Sequence, residues 1–433
     1  MSTIVRLGKK LKKYIMPKAK PCVSYVRRIE RVKTDERVVA MTFDDGPMNA
    51  PCNPSSFGEI DYGDAPLTSV ILDTLDKYGA KGTFDVIGYT GDNYPDECGP
   101  VGSPSWGGVK YDHYPDYKKD SLAGAENQGE LLRRMIDGGH QVTNHGYKHI
   151  IFGKKPFVYG KRECLKNIDE VTDDLRRLDD ILRKRYGYEI TMSRPPHYVD
   201  RISGGFTSYD AYALLGYQYM AASFDGAGWL PAAGESGEGA FAAEIAEKIS
   251  PFEKNISEKP DFFCGQIIFQ KDGYNMAKRT PVAFGLEKQL DLLTSAGYKV
   301  VTVNELLGYS QFADVGRDDP DYDIFESLIA EHAIAYSDNT LCPERHMSVG
   351  ELAMLVAPRE WAVEKRIEAI SKKGSRLSNC FGAMEWCRKE GLLGAKIKED
   401  APLASEIISS FSSYFEKIPR GFTRREVLKS YKQ

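Results

Sequence analysis

The chain has 433 residues, 42% hydrophobic and 28% charged, with 40 glycines, a make-up that excludes disorder as the main state and allows a large core. At roughly 100–200 residues per domain it holds two or three domains, although a βα barrel of about 250 residues counts as one. The formal charge of −4 supplies no basic face to displace counterions from phosphates, which excludes nucleic acid as a first-choice partner.

The eight cysteines are too sparse for a disulfide scaffold and lack zinc-knuckle spacing, so they read as buried or free thiols. There is no apolar run of about 18 residues, and the N-terminus lacks the apolar stretch of roughly 7–15 residues that a secretory signal requires. These observations lead to the expectation of a cytoplasmic protein, with the cell surface as the alternative.

Residues 1–37 form a separate basic segment. Within 1–20 there are seven Lys or Arg and no acid. At about 100° per residue, Ile4, Leu7, Leu11, Tyr14 and Ile15 share one arc while Arg6, Lys9, Lys10, Lys12 and Lys13 face the other way. The expected element is an amphipathic helix stopped by Pro17, able to lie on an anionic membrane surface or to dock on its own domain. Two stretches rich in Gly, Pro, Tyr and Asp, residues 48–66 and 89–128, read as long loops, and their aromatics, Trp106 included, suit a substrate rim.

Seven short apolar runs follow in order: Val38–Phe43, Gly82–Gly88, Gln141–Asn144, Thr191–Arg194, Tyr217–Ser223, Gln266–Phe269 and Lys299–Val303. Each suits a buried strand, and segments of helical period separate most of them. The clearest helix is predicted over Gly160–Tyr186, where Leu165, Ile168, Val171, Leu175, Leu178 and Leu182 recur every three or four residues. Strands alternating with helices imply a parallel sheet, hence a βα barrel or a doubly wound sheet. The pattern runs from 38 to 309, the span of one barrel domain.

In such folds the polar residues directly after strands carry the chemistry. The first run leads into Thr42-Phe43-Asp44-Asp45-Gly46-Pro47, two adjacent carboxylates that can divide cation binding from proton transfer. After the third comes His145-Gly-Tyr-Lys-His149, whose spacing puts both imidazoles on one side of a helical turn. Two histidines and a carboxylate form a sound ligand set for zinc or a similar divalent ion.

On the TFDDGP string at 42–47, with Lys81-Gly-Thr-Phe84, Gly139-His-Gln-Val-Thr-Asn-His145 and Arg194-Pro-Pro-His-Tyr198 in order after it, residues 39–309 resemble the polysaccharide deacetylase (NodB-homology, carbohydrate esterase family 4) domain. The resemblance implies a distorted (β/α) barrel that removes acetyl groups from sugars with one divalent metal, most simply zinc. It implies Asp44 as general base, and Asp45, His145 and His149 as metal ligands. Arg194 would hold Asp44 charged and aimed, an arginine lowering a nearby carboxylate's pKa, and the Tyr198 backbone N–H would help stabilise an oxyanion. Asp225-Gly-Ala-Gly-Trp229 resembles the fourth motif, in which the acid orients a catalytic acid and the tryptophan walls the acetyl pocket. The fifth motif departs. The family ends a strand with Leu-x-His, the histidine protonating the leaving amine, whereas this chain reads Ile267-Ile-Phe-Gln-Lys271-Asp272. Lys271 can replace that donor, or its presence can mark a lost activity.

Past Tyr309 helical periods dominate, which gives an all-α domain over 310–433. Phe312-Ala-Asp-Val315, Ala330–Leu341 and Ser348-Val-Gly-Glu351 are similar to an S-layer homology repeat, and a weaker copy begins near Ala383. Physically the Ser348/Glu351 and Thr423/Glu426 pairs are capping boxes, and such repeats pack on one another or mediate self-association. The expected function is metal-dependent deacetylation of an acetylated amino sugar or polysaccharide, N-acetyl before O-acetyl. The rivals are a non-catalytic carbohydrate-binding relative and a small-molecule amidohydrolase.

Overall fold

Val38–Asp44 is buried at every position, as suits a strand covered on both faces. In the computed structural model, which describes residues 23–52, 65–89, 122–154, 164–226, 228, 237–275 and 279–432, this run is the hub of a nine-stranded parallel sheet among the described residues. The strands are β1 (Arg28–Ile29), β2 (Val38–Asp44), β3 (Thr83–Val86), β4 (Gln141–Asn144), β5 (Met192–Ser193), β6 (Gln218–Met220), β7 (Phe224–Asp225), β8 (Ile267–Lys271) and β9 (Lys299–Val301). Their order is β1-β6-β5-β4-β3-β2-β8-β7, with β9 also on β2. Residues 1–20, Trp106 and Trp229 lie outside the described residues.

The order alone would put β1 and β7 at far edges. Yet β6 runs into β7 through residues 221–223 alone, and Arg31, just past β1, bridges Gln266, just before β8. Both edges are therefore held close, and the sheet curls into a half-barrel covered by helices. These are α1 (Leu67–Lys77), α2 (Gly129–Asp137), α3 (Ile168–Tyr186), α4 (Ser208–Leu215), α5 (Gly237–Glu258) and α6 (Pro281–Ser295). All seven apolar runs contain strands. The run at 217–223 ends sooner than its composition suggests, because Met220 closes β6, beside the edge strand β1, and Phe224 opens β7 at the other end of the strand order. The helix predicted from Gly160 starts at Ile168, where the Asn167 side chain accepts the Glu170 N–H, and ends at Gly187 with φ 65°.

The region after β9 is helical in its described residues: α7 (Val303–Leu307), α8 (Tyr322–Ile329), α9 (Val349–Val356), α10 (Arg359–Lys373), α11 (Phe381–Lys389), α12 (Ser405–Ser410) and α13 (Arg424–Ser430). It encloses its own core around Phe325, Leu352, Phe411 and Leu428, which Val23 joins from the N-terminal side. Residues 23–31 act as a strap. Val23 bridges Tyr336, Arg27 bonds the Gln311 carbonyl (2.8 Å) and Asn339 Oδ1 (3.0 Å), and β1 then pairs with β6 of the barrel. A second tie is the buried ion pair between Arg366 of α10 and Asp210 of α4. The starts of α9 and α13 both carry capping boxes, at Ser348 and Thr423; the bridge His346–Thr423 joins them, while Ser348 also bridges Pro402, ahead of α12. No described helix is long and apolar enough to cross a membrane.

Helices α10 and α11 pack so closely that a Cβ at Gly382 would overlap the Ala362 carbonyl. Gly382→Ala should therefore destabilise the C-terminal domain by about 1–3 kcal/mol, the usual cost of overpacking. Thermal or denaturant unfolding followed against the parent checks this, and an unchanged midpoint would contradict the close packing.

Candidate active site

Parallel pairing puts the C-terminal ends of β2, β3, β4, β5 and β8 along one edge of the sheet, and the predicted polar residues converge there. Asp44 ends β2 and Asp45 follows with φ 83°. That turn is anchored from the neighbouring strand: the Asp272 N–H donates to the Asp44 carbonyl (2.7 Å), and the Thr68 hydroxyl donates to the Asp272 carboxylate (2.7 Å). Burial pushes the Asp272 carboxyl up to about 7. A Cβ at Gly46 would overlap this carboxylate, which explains the glycine after the two aspartates.

The His145–His149 segment differs from expectation in conformation. It is no helical turn but a loop, with φ 84° at Gly146 and 54° at His149. The cause is Asp174 of α3, whose carboxylate accepts the N–H of Tyr147 (2.8 Å) and of Lys148 (3.1 Å), while Asn144 Oδ1 accepts that of Gly146 (2.9 Å). The fold still brings the rings together. Asp45 Oδ1 lies 3.3 Å from His145 Nε2 and 3.0 Å from His149 Nε2.

This donor set fits a divalent ion. Three ligand atoms bonded at ~2.0–2.1 Å in a tetrahedral shell stand about 3.3 Å apart, close to the observed separations. His145 Nδ1 lies 2.9 Å from the Arg194 carbonyl, which can only accept, so Nδ1 keeps a proton and Nε2 is the nitrogen turned towards Asp45, able to bind an ion once it gives up its own proton. Asp45, His145 and His149 would hold the ion. A second grouping, Asp44, Asp85 and His145, is also compact, but the Arg194 guanidinium already occupies Asp44.

Arg194 is fully buried. It ion-pairs with Asp44 and donates to Thr42 Oγ1 (3.1 Å) and to the carbonyls of Met220 and Ala221 (3.3 Å each). Burial raises the Asp44 carboxyl to about 7, outweighing the lowering by Arg194 and His145. The arginine thus aims Asp44 as expected without depressing its pKa overall. Burial alone would lower the His145 imidazole, but the carboxylates of Asp85, Asp45 and Asp44 raise it well above the histidine norm. At His149 burial prevails over Asp45 and its pKa falls.

The remaining predicted residues fall in four ways. Lys271, at the end of β8, reaches the site and ion-pairs with Asp45 Oδ2. Asp225 ends β7 in an exposed position, where its charge acts on Lys248. The Tyr198 N–H donates to the Pro195 carbonyl (2.9 Å) and so is already committed, while its ring lies over the Arg194 guanidinium at 5.4 Å. Trp229, which would wall the acetyl pocket, is outside the described residues. The sequence motifs do not mark Asp85, a fully buried carboxylate whose Oδ2 lies 2.7 Å from His145 Nδ1, or Asp174. They also give no role to His197, whose ring centre is 5.2 Å from that of His149. Asp85 had a signal: an acid inside the apolar run Thr83-Phe-Asp-Val86.

The curled parallel sheet thus gathers Asp44, its partner Arg194 and the Asp45–His145–His149 group at its strand ends. Residues 31–218 match the polysaccharide deacetylase family. The matched span takes in Asp44, Asp45, His145, His149 and Arg194 and stops at the start of β6, before Asp225 and Lys271. Among curated proteins, the peptidoglycan-N-acetylmuramic acid deacetylase PdaC of Bacillus subtilis is 28% identical over 168 residues, which are 39% of this chain and 23% of that protein. The peptidoglycan-N-acetylglucosamine deacetylase PgdA of Listeria monocytogenes is 24% identical over 283 residues, 65% of this chain and 41% of its own length. A peptidoglycan-N-acetylglucosamine deacetylase of Bacillus cereus is 24% identical over 283 residues, 64% of this chain and 92% of its own. The chain thus spans less than half the length of the first two. Among solved structures, the chitin deacetylase of Colletotrichum lindemuthianum aligns with a TM-score of 0.43 at 19% identity, over 66% of this chain and 93% of that one.

His145→Ala should lose most bound divalent metal, since it removes one of three converging ligands. Metal analysis of parent and variant, purified identically and both folded by circular dichroism, checks this. Equal metal content would rule out the assigned ligands.

Proposed function

We propose that the barrel is a metal-dependent hydrolase that removes acetyl groups from an acetylated amino sugar, as a residue of a polysaccharide of the peptidoglycan or chitin class, N-acetyl in preference to O-acetyl. The observation that carries the reading is the Arg194-held Asp44 standing beside the Asp45–His145–His149 group, with His145 Nε2 3.9 Å from Asp44 Oδ2. A sugar-binding module has no use for a base next to an ion site.

Held by Asp45, His145 and His149, a divalent ion, zinc by its ligand types, would supply Lewis acidity towards the acetyl carbonyl and lower the pKa of a water. Asp44 takes the proton as the water's oxygen bonds to the acetyl carbon, and Arg194 keeps its carboxylate oriented. When the C–N bond breaks, the leaving nitrogen needs a proton, and Lys271, whose Nζ stands beside Asp45 at the site, is the donor in this reading. The Tyr198 N–H must leave the Pro195 carbonyl before it can serve an oxyanion, and the Asp225 role in aiming the acid requires it to turn from Lys248 towards Lys271.

A non-catalytic sugar-binding relative is the second reading, favoured by the Lys271 ammonium resting on a metal ligand where the family motif has histidine. For the C-terminal domain, the capping boxes at Ser348 and Thr423 support an S-layer-homology-like repeat. Its arginines are used internally, however: Arg424 bonds the Leu341 carbonyl (2.7 Å) and the Ile334 carbonyl, and Arg425 pairs with Asp319, Asp321 and Glu344. That supports packing or self-association over binding of a wall polymer.

Acetate release from acetylated chito-oligosaccharides by metal-loaded protein tests the proposal. Asp44→Asn should keep its metal and lose roughly 10²–10⁴-fold in turnover, because the amide cannot accept the water's proton. Activity within a few-fold of the parent would remove Asp44 as the base, and no acetate from the metal-loaded parent would favour the binding reading.

A further inference from the structure

Two charged groups touch the ion site without belonging to its ligand set, and both come from one rung of the sheet. Asp44 of β2 is in register with Asp85 of β3 on one side and with Lys271 of β8 on the other. Each of the two reaches a different ligand from behind. Asp85 Oδ2 lies 2.7 Å from His145 Nδ1, the nitrogen turned away from the ion site; the Nδ1–H itself is aimed at the Arg194 carbonyl, so Asp85 acts on the ring through its charge, and its Oδ1 is fixed by the Thr143 hydroxyl (2.6 Å). The Lys271 ammonium rests on Asp45 Oδ2, whereas Oδ1 is the oxygen facing both histidines.

Their effects on a cation are opposite. A carboxylate behind a ligating imidazole makes the ring a better donor and adds negative charge near the ion. An ammonium on a ligating carboxylate draws charge from that ligand and repels a divalent ion. Both groups are buried, where solvent and salt screen little. Lys271 at the end of β8 therefore adds one positive charge to the site, and Asp85 adds one negative charge on the other side of β2.

We propose that Asp85 and Lys271 are a compensating pair of positioning residues: Asp85 strengthens metal binding through His145 by about as much as Lys271 weakens it through Asp45. The site thus keeps a usable affinity despite the ammonium on one of its ligands. The inference rests on the reading that Asp45, His145 and His149 hold a divalent ion, and it sets affinity apart from any part Lys271 plays in proton transfer.

The test is zinc affinity, by competition with a chelator of known affinity at one pH, for the full-length parent, Asp85→Asn, Lys271→Met and the double variant, each checked by thermal unfolding of the apo-protein. Asp85→Asn should weaken binding by roughly tenfold or more, the usual scale for a residue behind a metal ligand. Lys271→Met should tighten it, and the double variant should return to within about threefold of the parent. A residue that merely supported the fold would not tighten binding when removed, nor restore it in combination. If the parent binds zinc and Lys271→Met is no tighter than about twofold, the compensation is overturned while the metal site stands. If the parent binds no zinc, the site itself fails and the inference with it. Should Asp85→Asn not fold, Lys271→Met decides by the same criterion.

Discussion

The Arg194 guanidinium is wholly enclosed by protein, and a cation out of water, at a cost of several kcal/mol, persists only where other groups replace its hydration. Here the replacements come from two strands: Thr42 and Asp44 of β2, and the carbonyls of Met220 and Ala221 at the end of β6. Arg194 itself follows β5. It therefore spans the interior of the half-barrel, and Asp44 is the one anion bonded to it among these partners. The base of the proposed reaction and the counter-ion of the buried cation are the same carboxylate, so the chemistry and the folding of this edge cannot be separated. Truncating one partner of such a pair typically costs about 3–5 kcal/mol, since the other is left charged and unpaired.

Backbone strain gathers at the same edge. Among the described non-glycine residues, six have positive φ, and four of them are Asp45, His149, His197 and Tyr198. Such conformations persist only where the surroundings over-determine them, and the determinants are visible. Asp272 and Thr68 hold the Asp44–Gly46 turn from β8 and α1, and Asp174 of α3 folds the loop between the histidines. Each ligand is thus set by an element other than the one that carries it.

That division explains what the sequence made legible. The buried strands were readable because a strand covered on both faces must be apolar throughout, and the site residues were readable because they follow such strands. The motif spacing of His145 and His149 pointed to two rings that the fold does bring together, but suggested a helical turn, since the group that bends the loop is Asp174, 25 residues past His149. Strands β1 and β7, two residues each, are too short for periodicity to mark, and only pairing identifies them. The expected lowering of the Asp44 pKa failed for a further reason. Proximity to an arginine can be read from a motif, but burial, the larger influence here, belongs to the completed fold.

The C-terminal domain is tied to the chemistry by the same route. Its core receives Val23, and its loops receive Arg27 through Gln311 and Asn339. Two residues after Val23 the strap is still bonded to the barrel side, where the Gln218 side chain donates to the Tyr25 carbonyl (3.3 Å), and at residues 28–29 it becomes β1 against β6. Strand β6 ends in Met220, which with Ala221 supplies the carbonyls that accept from Arg194. A displacement of the strap would thus be felt at β6, then at the guanidinium, and through it at Asp44. The family match ends where β6 begins, so this buttress joins the matched and unmatched parts of the chain. On this geometry the helical domain stabilises the strand that completes the arginine's shell, whatever surface it offers to other molecules.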